Sequence, residues 1–288
     1  MFSIVIPCYD DGDLLVAQLE ALAGQRCPEP WEVVIADNGS EGGVAALEPL
    51  VAPFRDDIDL RVVDASDAPG AGHARNVGVA AARGDKIGFL DADDVAAEGW
   101  VAAMAAALDE HVVVASRWDV ERLNTPEVAA GRSDAQSRGV RSYVHPPYLD
   151  HAGGCGLGVH RDAFQAIGGF DPSFRLLEDT DLTWRLQLAG HALAFAPDAV
   201  VHIRFRPGLH GSFRQAFGYG RYNVMLYKRY RAHGMPRLRV RDGVASLVTL
   251  VLRLPHLFDP ERRAAYVRAL GFRLGRIRGS IEHGVWGL

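Results

Sequence analysis

Short apolar runs alternate with helical patterns through the first 120 residues of this 288-residue chain. In the first gap between two such runs, apolar residues recur at helical spacing from Leu14 to Leu22, and Gly24 follows as a stop signal. Alternating strands and helices are typical of βαβ units. The sequence therefore predicts an α/β fold with a mostly parallel sheet flanked by helices. The predicted strands are Ser3–Ile6, Glu32–Ala36, Leu60–Asp64, Lys86–Leu90 and Val112–Ser116.

The pattern changes after residue 118. Residues 119–150 are polar and have no sustained period, so we expect a long surface excursion with some helix, and long excursions of this kind are commonly functional. A glycine-rich run follows. We then predict a helix at 161–167, a second helix at 181–188 and a strand at 199–203, and we expect the last 85 residues to be helical.

The formal net charge of −5 hides a strong asymmetry along the chain. Residues 1–203 contain 14 Lys and Arg against 32 Asp and Glu, whereas residues 204–288 contain 17 against 4. A basic tail on an acidic body indicates an anionic partner. Two interpretations stay open: an apolar stripe in the tail packs on the rest of the protein, or the tail contacts an anionic lipid surface. The stripe consists of Tyr266, Leu270, Leu274, Ile277 and Ile281, ringed by Arg262, Arg263, Arg268, Arg273, Arg276 and Arg278.

Several classes of protein are disfavoured by the sequence. Cys8, Cys27 and Cys155 form neither a C-x-x-C pair nor a zinc-type cluster, so we expect a reducing, cytoplasmic location. The N-terminus has no basic segment and is predicted to be a strand, not a signal peptide. The longest apolar stretch, 244–252, is far shorter than the roughly 20 residues of a membrane-spanning helix. The tail lacks a nucleic-acid-binding motif, so we expect no nucleic-acid partner.

Three carboxylates follow the fourth predicted strand, in the run FLDADD at 89–94. They repel one another unless a cation, a helix N-terminus or water compensates. If the strand continues, Asp91 and Asp93 point to the same side and could hold a divalent cation at the sheet edge where α/β proteins bind ligands. A solvated acidic turn that caps the helix beginning near Glu98 accounts for the same residues.

A second acidic group, EDTD at 178–181, opens a predicted helix. Carboxylates in a first turn are favoured by the helix dipole, so capping alone explains them. Transfer to a hydroxyl acceptor, however, requires one acidic group that holds a metal and another that accepts a proton. The two acidic groups of this chain could divide these tasks if they converge in space.

Three single residues each allow a structural and a functional interpretation. His202 lies in a predicted strand and is either a structural histidine or a ligand. Arg75 follows the glycines at 70 and 72 and is either a surface arginine or a group near a phosphate at a helix start. Asp37 opens the run DNGS at 37–40, which is a turn or presents a carboxylate to a base or ribose.

Together, these segments resemble the motifs of an inverting family-2 glycosyltransferase with the GT-A fold. The resemblance covers about residues 2–205 and depends on the order and the separation of the motifs. IVIPCY at 4–9 stands where the family has V-I-P-x-Y-N, ADNGS at 36–40 stands for D-D-G-S, ARNVG at 74–78 for A-R-N-x-G, and FLDADD at 89–94 for F-L-D-x-D-D; GGFD at 168–171, EDTDL at 178–182, Gly190 and His202 follow.

The resemblance implies a Rossmann-like GT-A domain that transfers a hexosyl or deoxyhexosyl group from a nucleotide-diphosphate sugar to a hydroxyl acceptor, either a saccharide or a lipid-linked compound. Residues 1–118 would be its nucleotide-sugar-binding half, 119–205 its acceptor-side half, and 206–288 a basic helical extension that could place it on the inner face of the membrane. Its cofactor would be Mn or Mg. By the resemblance, Asp179 would be the general base, with Glu178 beside it in the catalytic element.

The resemblance also implies donor and metal ligands. The base and ribose would be held by Pro7, Tyr9 and Asp37, with Arg75 near the base or diphosphate. Asp91 would face the ribose and the metal, with Ala92 beside it in the donor site. The metal would be bound by Asp93 and Asp91, and His202 would complete the metal or diphosphate site.

Two departures from the family pattern are visible. Asp10 replaces the usual Asn after Tyr9, and Ala36 replaces the first Asp of D-D-G-S. Two other functions stay open. A nucleotidyltransferase usually has a basic, glycine-rich loop after its first strand, and the run CYDDG at 8–12 is acidic. A non-catalytic nucleotide-sugar-binding protein would be expected to lose Asp93 or Asp179, and both are present.

Overall fold

A computed structural model describes residues 1–130, 136–144, 146–205 and 208–287. Within these residues, eight strands form one sheet. The strands are β1 (Phe2–Cys8), β2 (Trp31–Asp37), β3 (Leu60–Asp64), β4 (Lys86–Phe89), β5 (Val95–Ala96), β6 (Val113–Asp119), β7 (Leu157–His160) and β8 (Leu193–His202). The α-helices are α1 (Gly12–Ala23), α2 (Gly43–Val51), α3 (Ala71–Ala81), α4 (Trp100–Glu110), α5 (Pro126–Ala130), α6 (Arg161–Ala166), α7 (Glu178–Leu188), α8 (Leu209–Tyr230), α9 (Val240–Leu252) and α10 (Pro260–His283).

The sheet has the strand order β3-β2-β1-β4-β7-β6-β8-β5. The first four strands in this order are parallel, and β6 is parallel to β8. β7 runs antiparallel to both of its neighbours, and β5 runs antiparallel to β8. The sheet is therefore mixed, with a parallel half built from the predicted βαβ units. Its carboxyl-end edge collects the residues that follow β1, β2 and β4.

All five strands predicted in the first 120 residues are confirmed, with ends that differ by at most three residues. α7 begins at Glu178, three residues before the predicted start, because the acidic residues form its first turn. β8 begins at Leu193, six residues earlier than predicted. β7 was not predicted because glycines interrupt its apolar pattern: Gly158 lies within the strand, and Gly154 and Gly156 lie just before it. A Cβ at Gly158 would lie 2.5 Å from the sulfur of Met104, so that glycine permits close packing.

The central core packs aromatic rings beneath the parallel half of the sheet. Phe89, Phe164 and Phe170 are buried, and their ring centroids lie 5.3 to 5.8 Å apart. Burial of aromatic rings is a large source of stability, and tilted pairs of this kind add to it. Phe170 also supports the site described below, because the guanidinium carbon of Arg75 lies 5.4 Å from its ring centroid.

The chain forms two compact units. Unit 1 comprises 1–123, 150–204 and the described residues of 134–141. Unit 2 comprises the described residues of 124–133, 142–149 and 205–288. The division near residue 204 lies beside the predicted boundary of the basic extension. Two short segments of the polar excursion belong to unit 2, although the sequence analysis assigns the whole of 119–205 to the α/β domain.

Within unit 2, α8 and α10 pack through glycines. A Cβ at Gly275 would lie 2.0 Å from the carbonyl oxygen of Phe217, and one at Gly220 would lie 2.1 Å from that of Phe272. The two backbones therefore touch directly. The predicted apolar stripe on α10 is only partly right, because Tyr266 is buried whereas Ile281 is 72% exposed.

One of the arginines around this stripe, Arg276, does not lie at the surface. It is buried, its Nε donates to the carbonyl oxygen of Gly287, and burial lowers its pKa to about 10. Among the residues that the structure describes, no helix has both the length and the apolar character needed to span a bilayer.

Candidate active site

The loops that follow β1 and β2 are joined at the carboxyl-end edge. The Asn38 amide donates to the carbonyl of Cys8 at 2.8 Å, and the Glu41 amide donates to the Asp10 carboxylate at 2.8 Å. Asp10 has a φ of 54°, a left-handed conformation that is uncommon outside glycine. β1 lies between β2 and β4, so the order of the parallel strands reverses here, as at the ligand sites of open α/β sheets.

The predicted donor residues Pro7, Tyr9 and Asp37 lie at this edge. Pro7 pairs with Ala36 in the register of β1 and β2, and Cys8 pairs with Asp37. Asp37 is buried and its Oδ1 accepts the Ser40 amide at 3.1 Å. Tyr9 is 60% exposed, so its ring is available to a ligand. The structure thus gathers these three residues.

The acidic run after β4 turns instead of continuing as a strand. β4 ends at Phe89, and the amide of Asp94 approaches the carbonyl of Asp91 at 3.4 Å. Burial nevertheless alternates along the run, because Ala92 and Asp94 are buried while Asp91 and Asp93 are half-buried. The Ala92 side chain therefore faces the protein interior, and only its backbone could contact a donor.

Asp94 anchors this turn. Its Oδ1 accepts the Arg204 amide at 2.7 Å, and the Arg204 Nε donates to the carbonyl of Asp93 at 3.0 Å. Burial, followed by the charges of Asp91 and Asp93, raises the pKa of Asp94 well above its ordinary value. The buried carboxyl is thus favoured in its neutral form.

A three-residue group with metal-ligating atoms lies at the same place. The carboxylates of Asp91 and Asp94 and the thiol of Cys155 have ligand atoms within 4.8 Å of one another. Burial and the two aspartates raise the pKa of Cys155, which disfavours the thiolate. Neither of the other predicted metal ligands, Asp93 and His202, belongs to this group. The sequence analysis did not assign Cys155 a role, since a single cysteine in a glycine-rich run carries no motif.

His202 is oriented by a carboxylate. Its Nδ1 lies 2.7 Å from Oδ2 of Asp119, and its Nε2 lies 3.2 Å from Nη1 of Arg122. The carboxylate requires a proton on Nδ1, which makes Nε2 the acceptor of a neutral ring. In the pairing of β5 with β8, Val95 lies opposite His202. Val95 is two residues after Asp93 in the chain. Neither Asp119 nor Arg122 was predicted, because nothing in the sequence links them to His202.

Arg75 joins the two acidic groups. Its side chain is 4% exposed; Nη2 donates to Oδ1 of Asp91 at 2.6 Å, and Nη1 donates to Oε1 of Glu178 at 2.9 Å. Burial alone would lower the pKa of Arg75, but Asp91 and Glu178 outweigh it and keep that pKa raised. The two acidic groups therefore converge in space. The contact of Arg75 with a base or diphosphate stays a prediction.

Asp179 is held beside this bridge. Its Oδ2 accepts the Gly154 amide at 3.0 Å, and its Oδ1 accepts the Thr180 amide at 2.6 Å. The preceding residue but one, Leu177, has a φ of 61°, and such backbone strain in a residue with a side chain often marks a functional turn. Gly154 was not predicted; a Cβ there would lie 2.9 Å from Nη2 of Arg75.

Glu178 has an unusual acidity. Burial, followed by the charge of Asp179, raises its pKa to about 7, although the Arg75 guanidinium opposes the shift. Neighbouring carboxylates with different environments are common in sites that transfer protons. Glu178 is paired with a cation, whereas both oxygens of Asp179 accept backbone amides.

Comparisons with known proteins show the family and the fold of the chain. The model of the glycosyl transferase family 2 matches residues 3–168. The chain is 28% identical over 243 residues to the succinoglycan biosynthesis protein ExoA of Rhizobium meliloti, covering 82% of this chain and 72% of that protein. It is 27% identical over 205 residues to the pre-mycofactocin glycosyltransferase of Mycobacterium tuberculosis, covering 69% of this chain and 42% of that protein. It is 36% identical over 100 residues to the uncharacterized glycosyltransferase YfnE of Bacillus subtilis, covering 35% of this chain and 25% of that protein.

The chain thus spans less than half of the length of two of these relatives. Solved structures share the fold. The mannosyltransferase PcManGT from Pyrobaculum calidifontis, in complex with GDP-Man and Mn²⁺, has a TM-score of 0.60 at 16% identity, with 98% of this chain and 87% of that chain covered. S. aureus TarS 1-349 in complex with UDP-GlcNAc has a TM-score of 0.56 at 17% identity, with 99% and 92% covered. With a family model that matches more than half of its length, and with a GT-A fold that carries a C-terminal helical region, the chain belongs to glycosyl transferase family 2, the inverting family that its motifs resemble.

Proposed function

We propose that this glycosyltransferase uses a divalent metal and transfers a hexosyl or deoxyhexosyl group from a nucleoside-diphosphate sugar to a hydroxyl acceptor by a single displacement. The observation that carries the proposal is the bridge formed by Arg75, which bonds to Asp91 on one side and to Glu178 on the other. Inversion needs a base on one face of the anomeric carbon and stabilisation of the leaving anion on the other. The two acidic groups are joined by one buried cation. Within one site they supply a carboxylate that can act as the base and carboxylates that can bind a metal.

Asp179 is the proposed general base. The acceptor hydroxyl gives its proton to the Asp179 carboxylate while its oxygen forms a bond to the anomeric carbon. The bond between that carbon and the diphosphate oxygen breaks, and the nucleoside diphosphate leaves with the electron pair. The amides of Gly154 and Thr180 fix the plane of the carboxylate, so that the base is oriented before the acceptor arrives.

Glu178 has a supporting role in this proposal. Its carboxylate already bonds to Arg75, and its pKa of about 7 leaves it part-protonated at neutral pH. The ion pair with Arg75 gives Glu178 a positioning role, and we give the role of proton acceptor to its neighbour Asp179. By holding Arg75, Glu178 positions the first turn of α7 against the acidic run after β4.

The donor would occupy the edge formed by β1 and β2. The exposed ring of Tyr9 offers a surface for stacking with the base, and Asp37 accepts hydrogen bonds at the end of β2. Pro7 shapes the strand end between them, and Ala92 contributes backbone only. The neighbouring structures with UDP-GlcNAc and GDP-Man support a nucleoside-diphosphate sugar as the donor.

A divalent cation, Mn or Mg, fits the donor set that faces this edge. Asp91 and Asp93 present half-buried carboxylates, which suit hard cations, whereas the neutral thiol of Cys155 does not. His202 has the arrangement expected of a metal ligand, because its Nδ1 is held by a carboxylate and its Nε2 is the acceptor. We assign Asp91, Asp93 and His202 to the metal. When bound, the cation would neutralise the charge that develops on the leaving diphosphate.

We further propose that the acceptor is a saccharide or a lipid-linked hydroxyl compound and that the enzyme acts in the cytoplasm. The relative named for succinoglycan biosynthesis supports a saccharide acceptor. The three cysteines are free, which fits a reducing compartment.

The proposal is tested with a panel of nucleotide sugars in the presence of Mn, scored for slow donor hydrolysis and for thermal stabilisation. We expect Asp179→Asn to keep the stabilisation by the donor and to lose hydrolysis by about 10²- to 10⁴-fold, the usual contribution of a general base. Asp198→Asn is the matched control, because Asp198 is an exposed aspartate of unit 1 on β8. Unchanged hydrolysis by Asp179→Asn would remove the base assignment, and a panel without any stabilising donor would reject the proposed function.

A further inference from the structure

A row of large apolar side chains is exposed on unit 2, outside the candidate active site. The residues lie on α9, on the 3₁₀ turn Leu254–Leu257 that follows it, and at Phe258 directly after that turn. On α9, only Gly243 is fully buried. The exposed members are Val240, Val244, Val248, Val251, Leu252, Leu254 and Phe258, and the last of these is 81% exposed.

The spacing places the four exposed valines of α9 on one side of the helix. Val240, Val244, Val248 and Val251 are separated by four, four and three positions, which is the repeat of one helical face. The neighbouring side of the helix contains Gly243, Ser246 and Leu250, which are buried or half-buried. α9 therefore has an inner face that packs within unit 2 and an outer apolar face, and an outer face of this kind marks an interaction site.

Charge identifies the partner. The segment 237–263 that contains the apolar face has six arginines and three acidic residues, and unit 2 belongs to the part of the chain with 17 basic against 4 acidic residues. Arg237, Arg239, Arg241 and Arg253 are exposed. An apolar helix face bordered by exposed arginines is the combination that lies in the interface of an anionic bilayer.

We propose that α9 and the following turn bind the surface of a membrane that contains anionic lipids. The valines and Phe258 enter the boundary between headgroups and acyl chains, and the arginines contact lipid phosphates. At 13 residues α9 is too short to span the bilayer, for which about 20 are needed, so it lies in the plane of the interface. This surface differs from the stripe on α10 that the sequence analysis predicted. It goes beyond the proposed function and does not depend on it, since binding needs no donor or acceptor.

The test is flotation of the full chain with vesicles of phosphatidylcholine alone and of equal parts phosphatidylcholine and phosphatidylglycerol. We expect binding to the anionic vesicles only, and weaker binding as ionic strength rises from about 0.01 to 0.15 M, because the screening length falls from about 30 to 8 Å. Arg→Gln changes at Arg239, Arg241 or Arg253 should each weaken binding about fivefold, which corresponds to about 1 kcal/mol per arginine.

The apolar face is tested by the double variant Val248→Asp and Val251→Asp, which we expect to lose about tenfold or more of the binding. Leu188→Asp is the matched control, because Leu188 is an exposed apolar residue of unit 1. It should bind vesicles as the unchanged chain does. Equal loss in both variants would overturn the proposal, and so would absence of binding at low salt. A concentration-dependent dimer in light scattering that Val248→Asp with Val251→Asp converts to monomer would also overturn it, since the face would then cover a second copy.

Discussion

Replacement of Arg75 by Met removes the cation that joins Asp91 and Glu178 while keeping an unbranched apolar stem at this position. Arg75 is 4% exposed, and neither Asp91 nor Glu178 has a second cation among the described ion pairs. Removing one partner of a buried ion pair costs about 3–5 kcal/mol, because the remaining charge is left in a poorly solvated place. Asp91 is about one-third exposed and recovers part of its solvation, so we expect a loss near the lower end, about 3 kcal/mol.

The loss should depend on pH in a defined direction. Without Arg75, the pKa of Glu178 rises beyond its value of about 7, because burial and Asp179 are then unopposed. A carboxyl whose folded pKa is raised binds more protons when folded, so unfolding becomes easier as pH rises through that pKa. Arg75→Met should therefore lose more stability at about pH 9 than at about pH 6.

The assay is urea unfolding across this pH range, with thermal unfolding as a second measure. For a unit of this size, 3 kcal/mol corresponds to a fall in Tm of about 6–12 °C. Arg26→Met, at an exposed arginine of unit 1, should change the unfolding free energy by less than about 0.5 kcal/mol. Adding Glu178→Gln to Arg75→Met should recover about 0.5–3 kcal/mol, the usual coupling of contacting residues. A loss below about 1 kcal/mol with no coupling would refute the bridge as the element that joins the two acidic groups.

Two further predictions concern stability. The folded pKa of Glu178 is raised from 4.5 to about 7. The unfolding free energy of the unchanged chain, measured by urea unfolding, should therefore fall between about pH 4.5 and 7 relative to that of Glu178→Gln. A difference between the two chains that is flat over this range would contradict the shifted pKa. Gly275→Ala should destabilise unit 2 by about 1–3 kcal/mol, because the added Cβ overpacks against the Phe217 carbonyl. The control is Gly211→Ala, where a Cβ would have nothing within 4 Å; in the same assay it should be neutral or stabilise by about 0.5 kcal/mol. Equal effects of the two changes would disprove the glycine contact.

The sequence predicted the parallel half of the sheet because its signal is local. Each strand there is an apolar run, and each connecting helix has its own period and stop signal. The site carboxylates were predicted for the same reason, since they stand in two compact motifs. The bridge by Arg75 could not be predicted, because Arg75 and Glu178 are 103 positions apart and meet only through the tertiary fold. Gly154 and Asp119 carry no motif at all.

In the C-terminal tail, by contrast, a clear apolar pattern in the sequence led to an incomplete prediction. One of the two interpretations packed the stripe that contains Tyr266 and Ile281 on the rest of the protein, but Ile281 is exposed and the α8–α10 contact is made at glycines. Glycines have no hydropathy signal, so backbone contact between helices is invisible to an apolar pattern. Helices that pack through glycines leave large apolar residues without an inner surface to cover. The large apolar residues in the row on α9 are likewise exposed.

The acidic run after β4 shows how one motif divides its tasks. Asp91, Asp93 and Asp94 are chemically alike, and the sequence analysis placed Asp91 and Asp93 on one side only if the strand continued. The strand stops, yet Asp94 is the buried member, because β5 pairs with β8 and brings the Arg204 amide within 2.7 Å of its carboxyl. Burial and the charges of Asp91 and Asp93 favour a neutral carboxyl at Asp94, although the Arg204 amide opposes this shift, and the two proposed cation ligands, Asp91 and Asp93, are half-buried. The division of roles therefore comes from strand pairing more than 100 residues away, and no local pattern could have assigned it.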